Sequence, residues 1–298
     1  MNARFVGILI LIVALVAAFY FSRAGGLNPL ANLHLFSNNS TTTENDTLVG
    51  PDIFGPGPEG NNSQTETAMI NEADIPTGFT KSQISPYFHK VRLDYIDAGS
   101  FDEPMSLGIG ADLSDTERLD ITNWKIQGNR GTYIIPRAVN IYEPTGLSGE
   151  ADIILKTGHR VNINATVSPL GKNIRVNTCM GYLENHIDFN PGLNIGCPDR
   201  NLNGLSQLSG QCQSYLESLG SCEEPGNNPP LAANDYTCRT YLDKLNYRGC
   251  YDSHRTDSDF LVSEWRIWMG QNNNFLDFEH DRVLLLDTKG LLVDIYTY

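Results

Sequence analysis

The carboxyl-terminal stretch, residues 281–298, reads DRVLLLDTKGLLVDIYTY. An apolar run that ends at Asp287 is followed by a second apolar run that begins at Leu291. Between them, residues 288–290 read Thr-Lys-Gly, a short glycine-containing connection of the kind that joins two antiparallel strands. The sequence therefore predicts a closing hairpin, with the carboxyl terminus as a strand of a sheet.

Farther back along the chain, an alternation of apolar and polar residues predicts more strands. Val91, Leu93 and Tyr95 alternate with their polar neighbours in 90–94, a period of two that is typical of a half-buried strand. Similar short segments, separated by turn residues, are 105–112, 119–127, 133–135, 153–155, 160–167, 174–177, 265–269, 283–286 and 291–298. The pattern favours a mainly β protein, built as an antiparallel β-sandwich.

One segment, residues 205–245, departs from the strand pattern. Apolar residues recur there at steps of three and four, first over 205–219 and again over 231–245, as they do on one face of a helix. Gly220 and the EEPGNNPP stretch that follows end the first helix. We therefore expect a two-helix antiparallel hairpin inserted into the β-structure at residues 198–255.

Six cysteines lie in and near this insert, and none forms a CxxC pair. This usage indicates structural disulfides rather than zinc binding or thioredoxin-like redox chemistry. An antiparallel helical hairpin predicts the bridges Cys222–Cys238 and Cys212–Cys250, and Cys179–Cys197 is then the remaining pair. The nested pair resembles the twin CX9C helical hairpins, although the second half here is CX11C. Because six cysteines allow fifteen pairings, this connectivity is a hypothesis.

The amino terminus, residues 1–23, carries a candidate membrane anchor. Residues 5–21 form a run of seventeen residues without a charge or a proline, which as a helix would span roughly 25 Å. A cleaved signal peptide is the alternative, although the run is long for one and ends in bulky aromatic residues. Arg4 precedes the run, and no Lys or Arg separates Arg23 from Lys81. We therefore expect everything after the span to lie outside the cytoplasm.

Residues 24–85 are rich in Asn, Ser, Thr, Gly and Pro, with stretches such as NNSTTTENDT. A segment with so few apolar residues to bury is predicted to be a disordered stalk, which leaves residues 86–298 as the ectodomain. The net charge of the chain is −14, and an acidic surface disfavours direct contact with nucleic acid. The expected partners are the membrane, through the amino-terminal helix, and a protein or glycan ligand.

Residues 199–204, DRNLNG, match the first half of an EF-hand-like calcium loop, with Asp199, Asn201 and Asn203 as candidate ligands. The twelfth position of such a loop is Gly210 instead of Glu, so the bidentate carboxylate is missing. An Asx-rich turn that caps the following helix is the favoured interpretation, and a calcium-dependent adhesion module is an alternative.

His254, Asp257 and Asp259 are close in sequence and suggest a general base and acid. A polar turn before a strand has the same composition, and no nucleophile motif accompanies these residues. A hydrolase that uses the loop around His254 is therefore kept only as an alternative. The sequence predicts no catalytic residue, no firm metal site and no cofactor.

Two stretches carry a resemblance to a known family. LDITNWKIQGNRGTYIIP, residues 119–136, resembles the lamin tail domain signature, with Asn123 in place of the usual Gly before Trp124. The closing hairpin, residues 281–298, is similar to the final hairpin of that family, D-x-V-x-L-x-D-x-x-G-x-x-V-D. The resemblance covers about residues 86–197 and 256–298.

This resemblance implies an immunoglobulin-like β-sandwich that acts as a non-catalytic interaction module, found in bacteria on secreted or envelope proteins. With the anchor and the cysteines, it leads us to expect a membrane-anchored protein whose bulk is extracytoplasmic. Its expected role is binding, adhesion or scaffolding.

Overall fold

The computed structural model describes residues 70–298 except 101, 201, 233 and 271–273. The predicted anchor, residues 1–23, and most of the predicted stalk, residues 24–69, lie outside the described residues. Of the helices in the described part of the chain, none combines the length and the apolar character needed to cross a membrane.

The described residues are mainly β-structure, and every segment predicted from the alternating pattern contains a strand. In chain order the strands are Val91–Asp97 (β1), Ser106–Ala111 (β2), Leu119–Asp120 (β3), Lys125–Gly128 (β4), Gly131–Ile134 (β5), Ile154–Leu155 (β6), Arg160–Asn164 (β7), Ile174–Asn177 (β8), Leu261–Trp268 (β9), Arg282–Leu286 (β10) and Leu292–Thr297 (β11). They form a five-stranded sheet in the order β1-β2-β7-β9-β8, a four-stranded sheet in the order β11-β10-β4-β5, and the pair β3-β6.

The expectation of purely antiparallel pairing is wrong at one place, because β7 and β9 are parallel. Strand β9 lies between β7 and β8 and is antiparallel to β8. A strand placed between two oppositely directed strands must be parallel to one of them. The strand order β7-β9-β8 arises because the chain, after the insert, forms β9 between β7 and β8.

The two larger sheets share one hydrophobic core. From the five-stranded sheet, Leu107, Val161 and Trp265 point into it, and from the four-stranded sheet, Ile126 and Leu285 do so. Each of these side chains is almost fully buried, and burial of one such group contributes roughly 1.5–3 kcal/mol. The alternating apolar residues of the sequence are thus the contacts that hold the two sheets together.

The predicted closing hairpin is present, since β10 and β11 pair antiparallel. Gly290 has φ of 79° in the turn, a conformation that glycine adopts at little cost. The buried carboxylate of Asp287 accepts hydrogen bonds from the backbone N–H groups of Lys289 (2.8 Å) and Leu291 (2.9 Å) and from the hydroxyl of Ser85 (2.8 Å). Asp287 therefore fixes the turn and ties it to the segment that precedes β1.

Two more aspartates of this stretch satisfy backbone donors elsewhere. Asp281 accepts from the N–H groups of Asn129 (2.9 Å) and Asp277 (2.8 Å). Asp294, on β11, accepts from the N–H of Leu93 on β1 at 2.7 Å, so it connects the edge strands of the two sheets. Burial raises the pKa of Asp294. The acidic residues of the closing motif are thus structural groups.

Asn123 lies in the left-handed region, with φ of 65°. Glycine and asparagine are the residues that tolerate this conformation best. Its N–H donates to the carbonyl of Ile135 at 2.9 Å, and the neighbouring Trp124 is buried in the shared core. Because the backbone at this position is left-handed, both Asn and Gly fit there.

The last part of the predicted stalk, residues 70–85, is ordered, so the expectation of disorder is wrong there. It contains the 3-10 helices Glu72–Asp74 and Lys81–Gln83. Ile84 and Ser85 are buried, and the N–H of Ser85 donates to the carbonyl of Leu292 at 2.8 Å. This backbone contact with β11 holds the polar segment against the sheet, although its composition predicts disorder.

The insert contains the helices Gly210–Ser218 (α1), Tyr236–Leu242 (α2) and Tyr247–His254 (α3). The first turn of the predicted first helix is instead a 3-10 helix, Leu202–Gln207. The predicted second helix is interrupted after α2, and Asn246 starts α3 by accepting the N–H of Gly249 at 3.0 Å. The apolar faces of α1 and α2 form a cluster of their own, whereas α3 packs with β8 and β9.

All six cysteines form disulfides, as predicted, but each predicted pair is wrong. The bridges are Cys179–Cys250, Cys197–Cys222 and Cys212–Cys238.

The amino-terminal ends of α1 and α2 explain this pairing. Ser209, the cap of α1, donates its hydroxyl to Asp235, the cap of α2, at 2.6 Å. Each cap also accepts the N–H of the cysteine three residues later. The two helix starts are therefore adjacent, whereas a nested hairpin requires the start of one helix to meet the end of the other. Because α2 ends at Leu242, Cys250 belongs to α3 and reaches Cys179 at the end of β8.

Replacing Asp287 with Ala should lower the free energy of unfolding by about 3 kcal/mol, because it removes a buried charged acceptor of three hydrogen bonds. Chemical denaturation of the purified protein measures this. Asp115→Ala, at an exposed aspartate, is the matched control and should change stability by less than about 0.5 kcal/mol. Equal effects of the two substitutions would contradict the structural role of Asp287.

Peptide mapping of the unreduced protein should recover the three bridges found here. A Glu, Lys or Arg lies between every two consecutive cysteines, so trypsin with a glutamate-specific protease separates all six. Mass spectrometry should find Cys179 linked to Cys250, and a Cys222–Cys238 peptide would be the contrary result. Replacing both Cys179 and Cys250 with Ser should cost about 4 kcal/mol, because that bridge spans 71 residues of sequence.

Candidate functional site

A bulge in β1 determines which side chains the five-stranded sheet presents on its outer face. The register between β1 and β2 shifts between Leu93 and Tyr95, so Asp94 has no partner on β2. One extra residue reverses the alternation of inward and outward side chains. Tyr95, which the alternating pattern assigns to the buried set, is instead 41% exposed. Asp94 and Tyr95 thus lie next to each other on the outer face.

Two glycines of β2 form the floor beneath these side chains. A Cβ on Gly108 would overlap the ring of Tyr95, and a Cβ on Gly110 would overlap the carboxylate of Asp94. The absence of side chains at both positions lets the ring and the carboxylate lie against the backbone of β2. The outer face of the sheet is therefore recessed at this place.

A chain of polar contacts crosses the recess from β1 to β9. The hydroxyl of Tyr95 donates to Oδ1 of Asn162 at 3.4 Å, and Nδ2 of Asn162 donates to Oε1 of Glu264 at 2.9 Å. Nε of Arg266 donates to the same Oε1 of Glu264. Burial raises the pKa of Tyr95, so its phenol stays protonated and acts as a donor at neutral pH.

Arg266 also connects β9 to the loop that follows the 3-10 helix Met180–Asn185. Arg266 donates through Nη2 to the carbonyl of Gly192 at 3.1 Å and through Nη1 to the carbonyl of Pro191 at 3.4 Å. Its guanidinium is buried and is shared between the loop and Glu264. These contacts fix the position of Glu264.

The recess has a volume of about 390 Å³ and is lined by Asp94, Tyr95, Gly108, Ile109, Arg160, Asn162 and Glu264; we call it the sheet-face groove. Asp94 and Arg160 are exposed, and neither forms a side-chain hydrogen bond or an ion pair with another described residue. Carboxylate and guanidinium groups of this kind are available to a ligand. The groove therefore offers an aromatic surface beside donors and acceptors of both charges.

A buried histidine, His159, directly precedes β7. Nη2 of Arg175 lies 3.5 Å from Nε2 of His159, and the guanidinium carbon of Arg175 lies 5.7 Å from the centre of the Trp265 ring. Burial, and then the positive charges of Arg175, Lys156 and Arg118, lower the pKa of His159 to about 4. The imidazole is therefore neutral at physiological pH and belongs to the core instead of the groove.

The residues of the predicted hydrolase site lie elsewhere. Nδ1 of His254 and Oδ2 of Asp257 are 2.8 Å apart at the end of α3, and Asp259 is exposed. The hydroxyl of the neighbouring Ser253 donates to the carbonyl of Gly249 at 2.8 Å and so is used within the helix. The structure thus brings His254 and Asp257 together as a local pair at a helix end, apart from the groove.

The calcium prediction is only partly covered by the structure. Asn201 lies outside the described residues, as does the side chain of Asn203. Within the described part of the chain, no group of three or more His, Cys, Asp or Glu side chains is arranged to hold a metal ion.

A second cavity, of about 440 Å³, lies in the insert beside the Cys197–Cys222 bridge. Its one described guanidinium, that of Arg200, donates to the carbonyls of Leu216 (2.5 Å) and Leu219 (2.9 Å) at the end of α1. A cation at this position satisfies carbonyls that lack helical partners and opposes the helix dipole. Arg200 thus has a structural role in this cavity.

Sequence reasoning missed the groove because it treated β1 as a regular strand. The one available signal is the pair of glycines, Gly108 and Gly110, at alternate positions of a strand, where glycine often marks a close approach of other groups.

No protein-family model matches the chain, and a search of curated proteins finds no match to it.

Acidification should destabilise the protein through His159. The pKa of this imidazole is about 4 in the folded protein and about 6.5 in an unfolded chain. The unfolded state therefore binds the extra proton first, and stability is lost as pH falls from about 6.5 towards 4, by on the order of 3 kcal/mol. His159→Gln should remove this part of the pH dependence in denaturation experiments. The exposed His280→Gln control should retain it, and equal pH slopes for all three proteins would refute the assignment.

Proposed function

We propose that this protein is a membrane-anchored, extracytoplasmic, non-catalytic binding module whose ligand docks in the sheet-face groove. The observation that carries the proposal is that all six cysteines are joined in disulfides in a unit with an open polar groove on its larger sheet. Structural disulfides are typical of oxidising compartments outside the cytosol.

Support for an immunoglobulin-like, lamin-tail-like fold comes from three features. Two sheets share one core, the closing hairpin has the aspartates and the glycine of the family motif, and the residue before Trp124 is left-handed. Domains of this kind act as interaction modules. The helical insert would then be an addition to the sandwich, attached by the Cys179–Cys250 bridge.

The character of the groove supports binding over catalysis. Glu264 is held by Asn162 and Arg266, so its Oε1 atom already accepts two hydrogen bonds within the protein. Asp94 and Arg160 lie on the open surface, where water remains in contact with them. General acid–base catalysis requires a proton donor or acceptor held at the reacting group, whereas an open surface with groups of both charges suits recognition of a polar ligand.

The location is tested with the full-length chain expressed in bacteria. We expect it to stay in the membrane after carbonate extraction and to be digested by protease added to spheroplasts. Without reductant, a polyethylene glycol maleimide should label none of the six cysteines, because all are oxidised.

A double variant, Val13→Arg with Val16→Arg, is the control for the anchor. Two arginines near the centre of an apolar run cost several kcal/mol of membrane insertion, so this variant should leave the membrane fraction. A wild-type protein that is cytosolic, protected from protease and labelled at its cysteines would refute the proposed function.

A further inference from the structure

We infer that the sheet-face groove binds a neutral oligosaccharide, with the ring of Tyr95 as its platform. This inference rests on the proposed function and adds the chemical class of the ligand. Its three supports are the aromatic surface, the balance of charges and the shape of the groove.

The aromatic ring has the position that a sugar ring requires. Tyr95 lies against the glycine floor on one side and remains 41% exposed. Its hydroxyl is oriented by Asn162, so the ring is fixed before a ligand arrives. The face of an aromatic ring carries partial negative charge, and the weakly polarised C–H groups of a pyranose are attracted to such a face.

The charged groups around the ring balance one another. In the lining of the groove Asp94 is opposed by Arg160, and Glu264 forms an ion pair with the buried Arg266, which lies outside the lining. The charges at the groove therefore nearly cancel within a protein whose net charge is −14. A phosphate or an acidic saccharide would meet the carboxylate of Asp94, and a cation would meet the guanidinium of Arg160, both unpaired among the described residues. A neutral ligand with many hydroxyl groups avoids both penalties, because each hydroxyl both donates and accepts hydrogen bonds.

The free groups are placed to bind neighbouring hydroxyls. The Cα positions of Arg160 and Gly110 are paired across β7 and β2, and Asp94 lies over Gly110. A guanidinium and a carboxylate are thus near each other beside the Tyr95 ring, without side-chain partners of their own among the described residues. Planar charged groups of this kind form strong, directional hydrogen bonds with ligand oxygens.

The shape of the groove favours a short chain of sugars. Its volume of about 390 Å³ lies within the range of small-ligand sites. Its lining runs from Glu264 on β9 across Asn162 on β7 to Tyr95 on β1, the edge strand of the sheet. A ligand is therefore expected to lie across these strands with one sugar unit on Tyr95, near the edge of the sheet.

The test uses the purified full chain in lipid nanodiscs, which avoids sugar-headed detergents. The probes are neutral cello-, xylo-, manno- and chito-oligosaccharides, measured by titration calorimetry, with oligogalacturonate and phosphate as anionic probes. We expect at least one neutral series to bind with a dissociation constant between roughly 10 μM and 1 mM, the range of about −4 to −7 kcal/mol. The anionic probes should not bind.

The variants locate the site. Tyr95→Ala should weaken binding at least tenfold, and Tyr95→Phe, which keeps the ring, should weaken it less than threefold. Arg160→Gln and Asp94→Asn remove one charge each from the surface and should weaken binding three- to tenfold. Tyr236→Ala, at a tyrosine of α2 that is 74% exposed, is the matched control and should bind like the wild type. Thermal unfolding of each variant verifies that it is folded.

The results separate this inference from the proposed function. Absence of neutral-oligosaccharide binding in a protein that is oxidised and extracytoplasmic overturns the ligand assignment alone, as does binding of only the anionic probes. Binding that Tyr95→Ala, Arg160→Gln and Asp94→Asn all leave unchanged overturns the assignment to this groove. A reduced, cytosolic protein refutes the proposed function whatever the saccharide result.

Discussion

The hydrophobic core shared by the two sheets holds them together, and the hydrogen bond from the N–H of Leu93 to the carboxylate of Asp294, at 2.7 Å, fixes their edges beside the candidate site. Both residues lie on edge strands, where backbone N–H groups lack a neighbouring strand. Asp294 supplies the missing acceptor and joins the two sheets at their edges. The donor is the residue immediately before the bulge of β1, so the same contact secures the strand where its alternation changes.

The candidate site follows from that change. After the bulge, Tyr95 faces outward and Ile96 takes the inward position against the shared core. The two glycines of β2 provide the space that the ring and the Asp94 carboxylate occupy. Bulges frequently direct side chains at binding sites. Here the single extra residue places the ring of Tyr95 on the outer face of the sheet instead of in the core.

The insert is held by a different combination of forces. The cluster formed by α1 and α2 is small and separate from the main core, and small cores contribute little stability alone. The bridge Cys212–Cys238 joins these two helices, and Cys179–Cys250 joins α3 to the end of β8. Covalent links of this kind mainly restrict the unfolded chain, so they stabilise a segment that has little apolar surface to bury.

The sequence by itself determined the strands, the closing hairpin, the presence of helices at 205–245 and the use of the cysteines as disulfides, because periodicity, turn residues and cysteine spacing are local properties. Only the tertiary structure decided the parallel pair β7-β9, the cysteine partners, the order of residues 70–85 and the groove around Tyr95. Each of these depends on which distant segments become neighbours, as Ser209 and Asp235 do at the starts of α1 and α2. The alternation along β1 cannot reveal its bulge, because the N–H of Leu93, just before the bulge, donates to Asp294, about two hundred residues farther along the chain.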